Sequence, residues 1–392
     1  MPAVTEREPD VPSEVPAAVP SAAPPALRGA HPSWLVDETV DLCPAGRATA
    51  SRFGALLLTR NNELRLAPLG KLSSKSDAVR TPIQPLALAK DALELARGPS
   101  VLGTRAYWIN ARQLLTADLN ERGPASPPRV LATDAQNGTR VAVPQGAAAP
   151  DQPAAVAYIA KGSDDPQVTV AKLWSEGAAP LLLTPQGAAA SSVALSSTPT
   201  GLMAWSMEGR TGMSPVHARE LRFQAGTFQL LEDRVVWVGG ASQPFSELVA
   251  LPAQHPATRL GPARALLATE QDVSHFGLLM LTLPSDPSAA ADAEGQTSWS
   301  LYPNGIEPAP VATAQLCGRT VIARVKPQSA QGATPQELEL VDADASDAGP
   351  PLIAAYAQRF FDISLATLPA GALLVTVADE RTWATTVRCR SR

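Results

Sequence analysis

The side chains able to do chemistry are scattered along this chain. Four histidines, His31, His217, His255 and His275, each stand alone. A zinc site of ordinary spacing needs paired ligands on one element, and the sequence has no His-x-x-x-His or Cys-x-x-Cys pair. It has no Gly-x-Ser-x-Gly elbow to present a nucleophile. Gly70-Lys71 lacks both the upstream Gly and the following Ser or Thr of a phosphate loop. No catalytic, cofactor-binding or metal-binding residue is therefore assigned. Carboxylates for acid–base work exist in number: Glu208, Asp233, Glu270, Asp272 and Asp379. They would act only if the fold brought several to one point; otherwise each is a solvated turn residue. Asn137-Gly138-Thr139 has the form of a glycosylation sequon, but Asn-Gly is more simply a tight turn.

Cys43, Cys317 and Cys389 are the three cysteines, and an odd count leaves at least one thiol unpaired within a monomer. If the chain closes on itself its ends meet, which makes Cys43–Cys389 the candidate disulfide. The plain alternative is three small buried apolar side chains.

Composition limits what these residues can belong to. The chain has 392 residues, 45% hydrophobic and 18% charged, with a net charge of −5. It can bury a substantial core, and neither a disordered chain nor a cysteine-stapled miniprotein fits. No concentrated basic surface marks a nucleic-acid binder. No apolar stretch approaches the length of a transmembrane helix. Only six of the 32 basic residues are Lys; with heavy Ala and Pro usage, this is the codon-level mark of a GC-rich bacterial genome. Residues 1–33 carry eight prolines and almost no large apolar side chains. Proline blocks helix and central strand, so this segment reads as a disordered Pro/Ala-rich tether ahead of a domain spanning 34–392. It has neither the basic start nor the apolar core of a signal peptide. A tether of this kind suits an exported protein, periplasmic or at the cell surface; a cytoplasmic location is the alternative.

The rest of the chain reads as all-β. Runs of four to eight residues rich in Leu, Val, Ile, Thr and Trp alternate with Gly, Pro, Ser, Asn and Asp. The one helical candidate, Leu86–Ala96, is bracketed by Pro85 and Pro99. Eight strand pairs recur, marked by Leu57, Trp108, Tyr158, Trp205, Trp237, Leu279, Ile322 and Val375. Their spacings run from 32 to 53 residues. Four strands with their turns need about 40–50 residues, the period of β-propeller blades. A lone blade cannot cover both faces of its sheet, and a closed ring of blades does. The Trp205–Trp237 step is barely long enough for a blade. A single propeller of seven blades is therefore favoured, with eight possible and a solenoid or paired sandwiches as the alternatives.

Two stretches carry a family resemblance. Ala179–Met207 and Arg234–Gly261 are similar to the repeat of the Tol-system periplasmic propeller, a WD-repeat-like superfamily. In that repeat a strand ending in Leu-Thr is followed by Gly, small residues and a Pro-turn-Gly. Here these are Leu183-Thr184, Gly187, Pro199 and Gly201, although Thr200 stands where the family has Asp. The resemblance implies a blade built from both chain ends, with Trp34–Leu42 beside Thr382–Cys389. Asp292–Trp299 resembles, with altered spacing, the turn-stabilising Asp-box of sialidase-type propellers, but that family's catalytic set cannot be placed.

The seven Trp recur at equivalent repeat positions and are read as packing between blades. The long insertions, Gly162–Gln167, Glu208–Pro215, Gly239–Ser246, Pro284–Thr297 and Pro327–Gln336, would gather on one face of the ring. They are poor in acid–base groups and suit a broad protein contact. The reading is a non-catalytic interaction or scaffold module that binds another protein and needs no cofactor. An enzyme acting on glycans or peptides in the channel, or a structural subunit of a larger assembly, is the alternative.

Overall fold

The computed structural model describes residues 33–44, 47–58, 64–69, 98–146, 152–163, 165–185, 188–209, 213–240, 247–252, 263–272, 275–283, 297–301, 310–326, 335–343, 351–379 and 381–390. The tether, Leu86–Ala96, His31 and His255 fall outside the described residues, apart from Ser33 at the tether's end.

Seven sheets follow one another along the chain. The first blade is Arg47–Ser51, Gly54–Leu58 and Leu64–Pro68. The second is Ser100–Leu102, Arg105–Asn110, Gln113–Asn120 and Arg129–Ala132. The third has Ala155–Lys161, Thr169–Ser175 and Leu181–Leu182, and bridges at Ala135 and Ala142 add an inner stretch. The fourth is Ala189–Thr198, Gly201–Gly209, Met213–Gln224 and Thr227–Gly240. The fifth is Glu247–Ala250, Ala263–Asp272, His275–Leu283 and Thr297–Leu301. The sixth is Val311–Leu316, Arg319–Val325, Gln336–Asp342 and Leu352–Ala357. The seventh is Phe360–Leu368, Gly371–Ala378, Arg381–Cys389 and, from the other end of the chain, Trp34–Pro44.

The sheets close into a ring because each buries apolar side chains against the next. Separate clusters join the seventh blade to the first, the first to the second, and so on to the fifth. One larger cluster covers the fifth, sixth and seventh together. Large aromatics sit in these seams: Trp108 between the first and second blades, Trp205 between the fourth and fifth, Trp34 in the large cluster. Trp174 leans on Tyr107 across the second seam, ring centroids 6.4 Å apart.

A belt of hydroxyls accompanies the apolar seams. Thr49 meets Ser364 at 2.6 Å, and Ser100 donates to the Val141 carbonyl at 2.5 Å. Thr169 donates to Ala190, and Ser192 accepts from the Leu248 amide. Thr313 donates to Ala250, and Thr367 to Gln315. Six of the seven seams are thus tied by a short Ser or Thr reaching a neighbouring blade. At the remaining one Gly98 packs so closely on the Ala48 carbonyl that a Cβ there would lie 2.6 Å from its oxygen.

Seven of the eight strand pairs read from the sequence are hairpins within a sheet. The eighth, Val235–Val238 with Glu247–Leu251, is not. Its first member is the outer strand of the fourth blade and its second the inner strand of the fifth. Trp237 therefore marks no repeat of its own, which accounts for the short spacing and for seven blades. It also places Trp237 on an outer strand.

The Cys43–Cys389 pairing is corrected. Cys389 is bonded to Cys317. In the closing blade Trp34 lies opposite Cys389, whereas Cys43 lies opposite Thr382, seven residues along the same strand. At about 3.3 Å per residue that separation is beyond any disulfide. Cys317 instead sits in the turn that leads from the first to the second strand of the sixth blade.

Candidate functional site

Two polar constellations stand out among the described residues. One crosses the centre of the ring. Arg140, on the inner stretch of the third blade, donates to Asp362 on the inner strand of the seventh at 2.5 Å. These blades are not neighbours, so the pair spans the channel. Burial disfavours the guanidinium charge, but Asp362 and then Glu247 of the fifth blade more than offset it and raise the arginine's proton affinity. The Asp362 oxygen also accepts the Ile363 amide. This carboxylate is occupied as a structural strut and is not poised as a free base.

The other constellation lies in the fourth blade, on the face turned to the third. Strand alternation puts Ser206 and Glu208 on one side of Gly201–Gly209, with His217 and Arg219 beside them on Met213–Gln224. Register then sets Asp233 of the outer strand opposite Arg219. Arg219 donates to Glu208, to Ser206 at 2.5 Å and to Asp233 at 3.0 Å. Ser206 donates to Glu208 at 2.7 Å. His217 Nδ1 lies 2.8 Å from Asp233, and its Nε2 lies 3.7 Å from Glu208. Glu208 and Arg219 are 0% and 1% exposed. A buried ion pair of this kind holds its geometry because separating either charge leaves the other desolvated and alone. The network therefore fixes the outer strand, through Asp233, to the two strands behind it.

That outer strand, Thr227–Gly240, is at 14 residues the longest of the described strands, and among these it pairs on one side only. It carries Leu230, Leu231, Val235 and Val238, exposed by 45%, 44%, 52% and 54%. The remaining exposed large apolar residues among those described, Leu35, Val130 and Leu182, lie singly on outer strands of other blades. Scattered exposed apolar side chains are ordinary, whereas here four are concentrated on one edge strand.

Of the three singled-out carboxylates whose side chains are described, Glu208 and Asp233 come together around Arg219 and His217. They meet in the fourth blade's face, away from the channel, and Glu208 is wholly buried rather than a solvated turn residue. Asp379 caps a turn by accepting the Gln358 and Arg359 amides. Glu270 and Asp272 are described in backbone only, at the end of a fifth-blade strand. His217 is a buried network member rather than an edge residue. Among the described residues no group of three His, Cys, Asp or Glu is placed to hold a metal. No described helix is long and apolar enough to cross a membrane.

The insertions divide differently from the sequence reading. Gly162–Gln167, Glu208–Pro215 and Pro327–Gln336 do link second and third strands. Gly239–Ser246 stands between two blades and Pro284–Thr297 between a third strand and a fourth, and most of each lies outside the described residues. The outer-strand surface went unread in the sequence. Its signal is Val235-Val236-Trp237-Val238, four consecutive apolar residues that an outer strand with one covered face cannot all bury.

No family model and no curated protein matches this sequence. Among solved structures the chain is similar to the Nup133 β-propeller domain of Vanderwaltozyma polyspora. That match has 7% identity and a TM-score of 0.42, over 93% of this chain and 100% of that one. It is also similar to the AfRom2 CNH domain, at 10% identity and a TM-score of 0.38, over 91% and 99%. The propeller assignment rests on this chain's own seven sheets and closed seams.

Proposed function

We propose that the protein is a non-catalytic interaction module that engages another polypeptide through the outer strand of its fourth blade. The observation that carries this reading is the concentration of exposed apolar side chains on that strand, backed by a buried ionic network that holds it rigid. A preorganised edge loses little entropy on docking, and its backbone donors and acceptors add to the apolar contact. The charged groups nearest to it are engaged with one another, which favours a structural role for them over acid–base chemistry.

The reading extends to the compartment. A disulfide persists in an oxidising environment, so Cys317–Cys389 supports export, with residues 1–33 as a tether at the periplasmic or cell-surface side. The Leu183-Thr184 strand end and the Pro199-Thr200-Gly201 turn support kinship with the Tol-system propellers.

Site-resolved photo-cross-linking in the native cells tests the surface. A photoreactive residue at Val235 or Val238 is expected to give a discrete adduct with another polypeptide, lost when Leu231 is changed to Asp. The same residue at Glu121, on the turn after a second-blade strand, is expected to give none. Equal labelling at all three positions would sink the proposal. For the compartment, native protein alkylated before and after reduction is expected to show one free thiol, then three; three from the start would place it in the cytoplasm.

A further inference from the structure

The geometry points to a second copy of this chain as the occupant of the outer strand, paired edge to edge about Asp233. This rests on the surface proposed above and goes on to name its partner. The central stretch reads Leu231-Glu232-Asp233-Arg234-Val235. Two such strands laid antiparallel across a two-fold axis at Asp233 set Leu231 against Val235 of the second copy and Glu232 against Arg234, with each pair repeated by symmetry. Between the register shifts alternation puts Glu232 and Arg234, and with them both ion pairs, on one face of the joint and Val235 on the other. No free like charges meet at the centre, because each Asp233 carboxylate is held back on its own blade by Arg219 at 3.0 Å and His217 at 2.8 Å.

Both members of the ion pairs are accessible: Glu232 is 44% exposed and Arg234 22%, and within one chain they bond to each other. The strand's outer edge pairs with no other described strand. Its register against the strand behind it shifts at Leu231 and again at Val236. These bulges bend the edge on either side of Glu232–Val235 and keep the joint short. A short joint predicts a dimer that dissociates on dilution rather than an obligate one or an open fibre.

Sedimentation equilibrium on the full chain, from about 1 to about 500 µM, tests the inference. The wild type is expected to pass from monomer to dimer across this range. Glu232→Arg sets Arg against Arg across the joint, and Arg234→Glu sets Glu against Glu, so each alone is expected to weaken the dimer at least about tenfold. Mixing the two single variants restores both ion pairs in a heterodimer, and the mixture is expected to associate at least as tightly as the wild type. The rescue also shows that both variants are folded. A wild type monomeric throughout, or a dimer indifferent to both reversals, overturns the self-pairing. If the chain is monomeric while Val235 still cross-links to a different protein, the surface survives and this inference fails. If the chain is monomeric and no cross-link forms, both fail.

Discussion

At the scale of single residues, the strongest commitments are buried polar groups that the fold has made interdependent. Arg219 neutralises Glu208 where both are out of water. Arg219→Met should therefore cost about 3–5 kcal/mol, because it strands a buried carboxylate. Adding Glu208→Leu should recover most of that loss. Urea unfolding of the single and double variants measures both; a double variant as unstable as the single would show that packing, not charge, sets the cost. Tyr158 makes a second commitment. Burial and then Asp134, which accepts its hydroxyl at 3.2 Å, hold its pKa above the ordinary phenol range. The folded state thus favours the protonated phenol. That stabilisation is complete below about pH 10, where a free tyrosine titrates, and is lost as the pH climbs beyond it. The melting temperature should fall more steeply above about pH 10 in the wild type than in Tyr158→Phe; parallel curves would remove Tyr158 from the account. Little of this was legible in the sequence. Glu208, His217 and Arg219 look like ordinary surface polar residues, because only strand alternation combined with the seam to the third blade reveals that their face is covered.

The elements depend on where backbones approach closely and where they turn. Gly201 and Gly371 each open the second strand of a blade, two residues after a proline. A Cβ on either would lie 2.0 Å from a carbonyl oxygen of the third strand, that of Leu221 or Val387. Gly371→Ala should therefore cost at least about 2 kcal/mol by forcing the strands apart. The turn before the fourth blade's outer strand offers the opposite case. Ala225 and Gly226 both have positive φ, 52° and 83°. Asparagine tolerates this conformation better than alanine, so Ala225→Asn should stabilise by about 0.5–1 kcal/mol. Shifts of the urea midpoint in these two directions check the pair, and a neutral Gly371→Ala would mean the strands can separate freely. Hairpins were readable because turn residues and alternating apolar runs are local. Sheet membership was not: Val235–Val238 and Glu247–Leu251 look like a strand–turn–strand pair, yet the chain crosses from one blade to the next between them. A loop between blades carries the same composition as a loop within one.

For the whole molecule the question is what keeps the ring shut. Periodicity in the sequence leads to the ring, and the resemblance of two stretches to a known repeat leads to a blade made from both chain ends. The covalent tie was beyond reach, because it depends on which turn of the sixth blade lies beside the end of the seventh. The Trp34–Pro44 strand is the outermost of its blade and joins it by pairing with Arg381–Cys389 alone. Cys389 stands at the end of that pairing, opposite Trp34, and its bond to Cys317 anchors the closing blade to its neighbour. The bond spans 72 residues of chain. On chain entropy alone a loop of that size restricts the unfolded state by about 4 kcal/mol. Changing Cys317 and Cys389 together to Ser should therefore lower stability by about 2–4 kcal/mol. The loss should also have an address. Hydrogen exchange should accelerate first in Trp34–Pro44 and Arg381–Cys389, the strands the disulfide anchors, and last in the fourth blade, whose ionic network is untouched. An even rise around the ring would mean that the disulfide acts only on the unfolded chain. No change in stability would mean that apolar seams and the hydroxyl belt hold the ring without it.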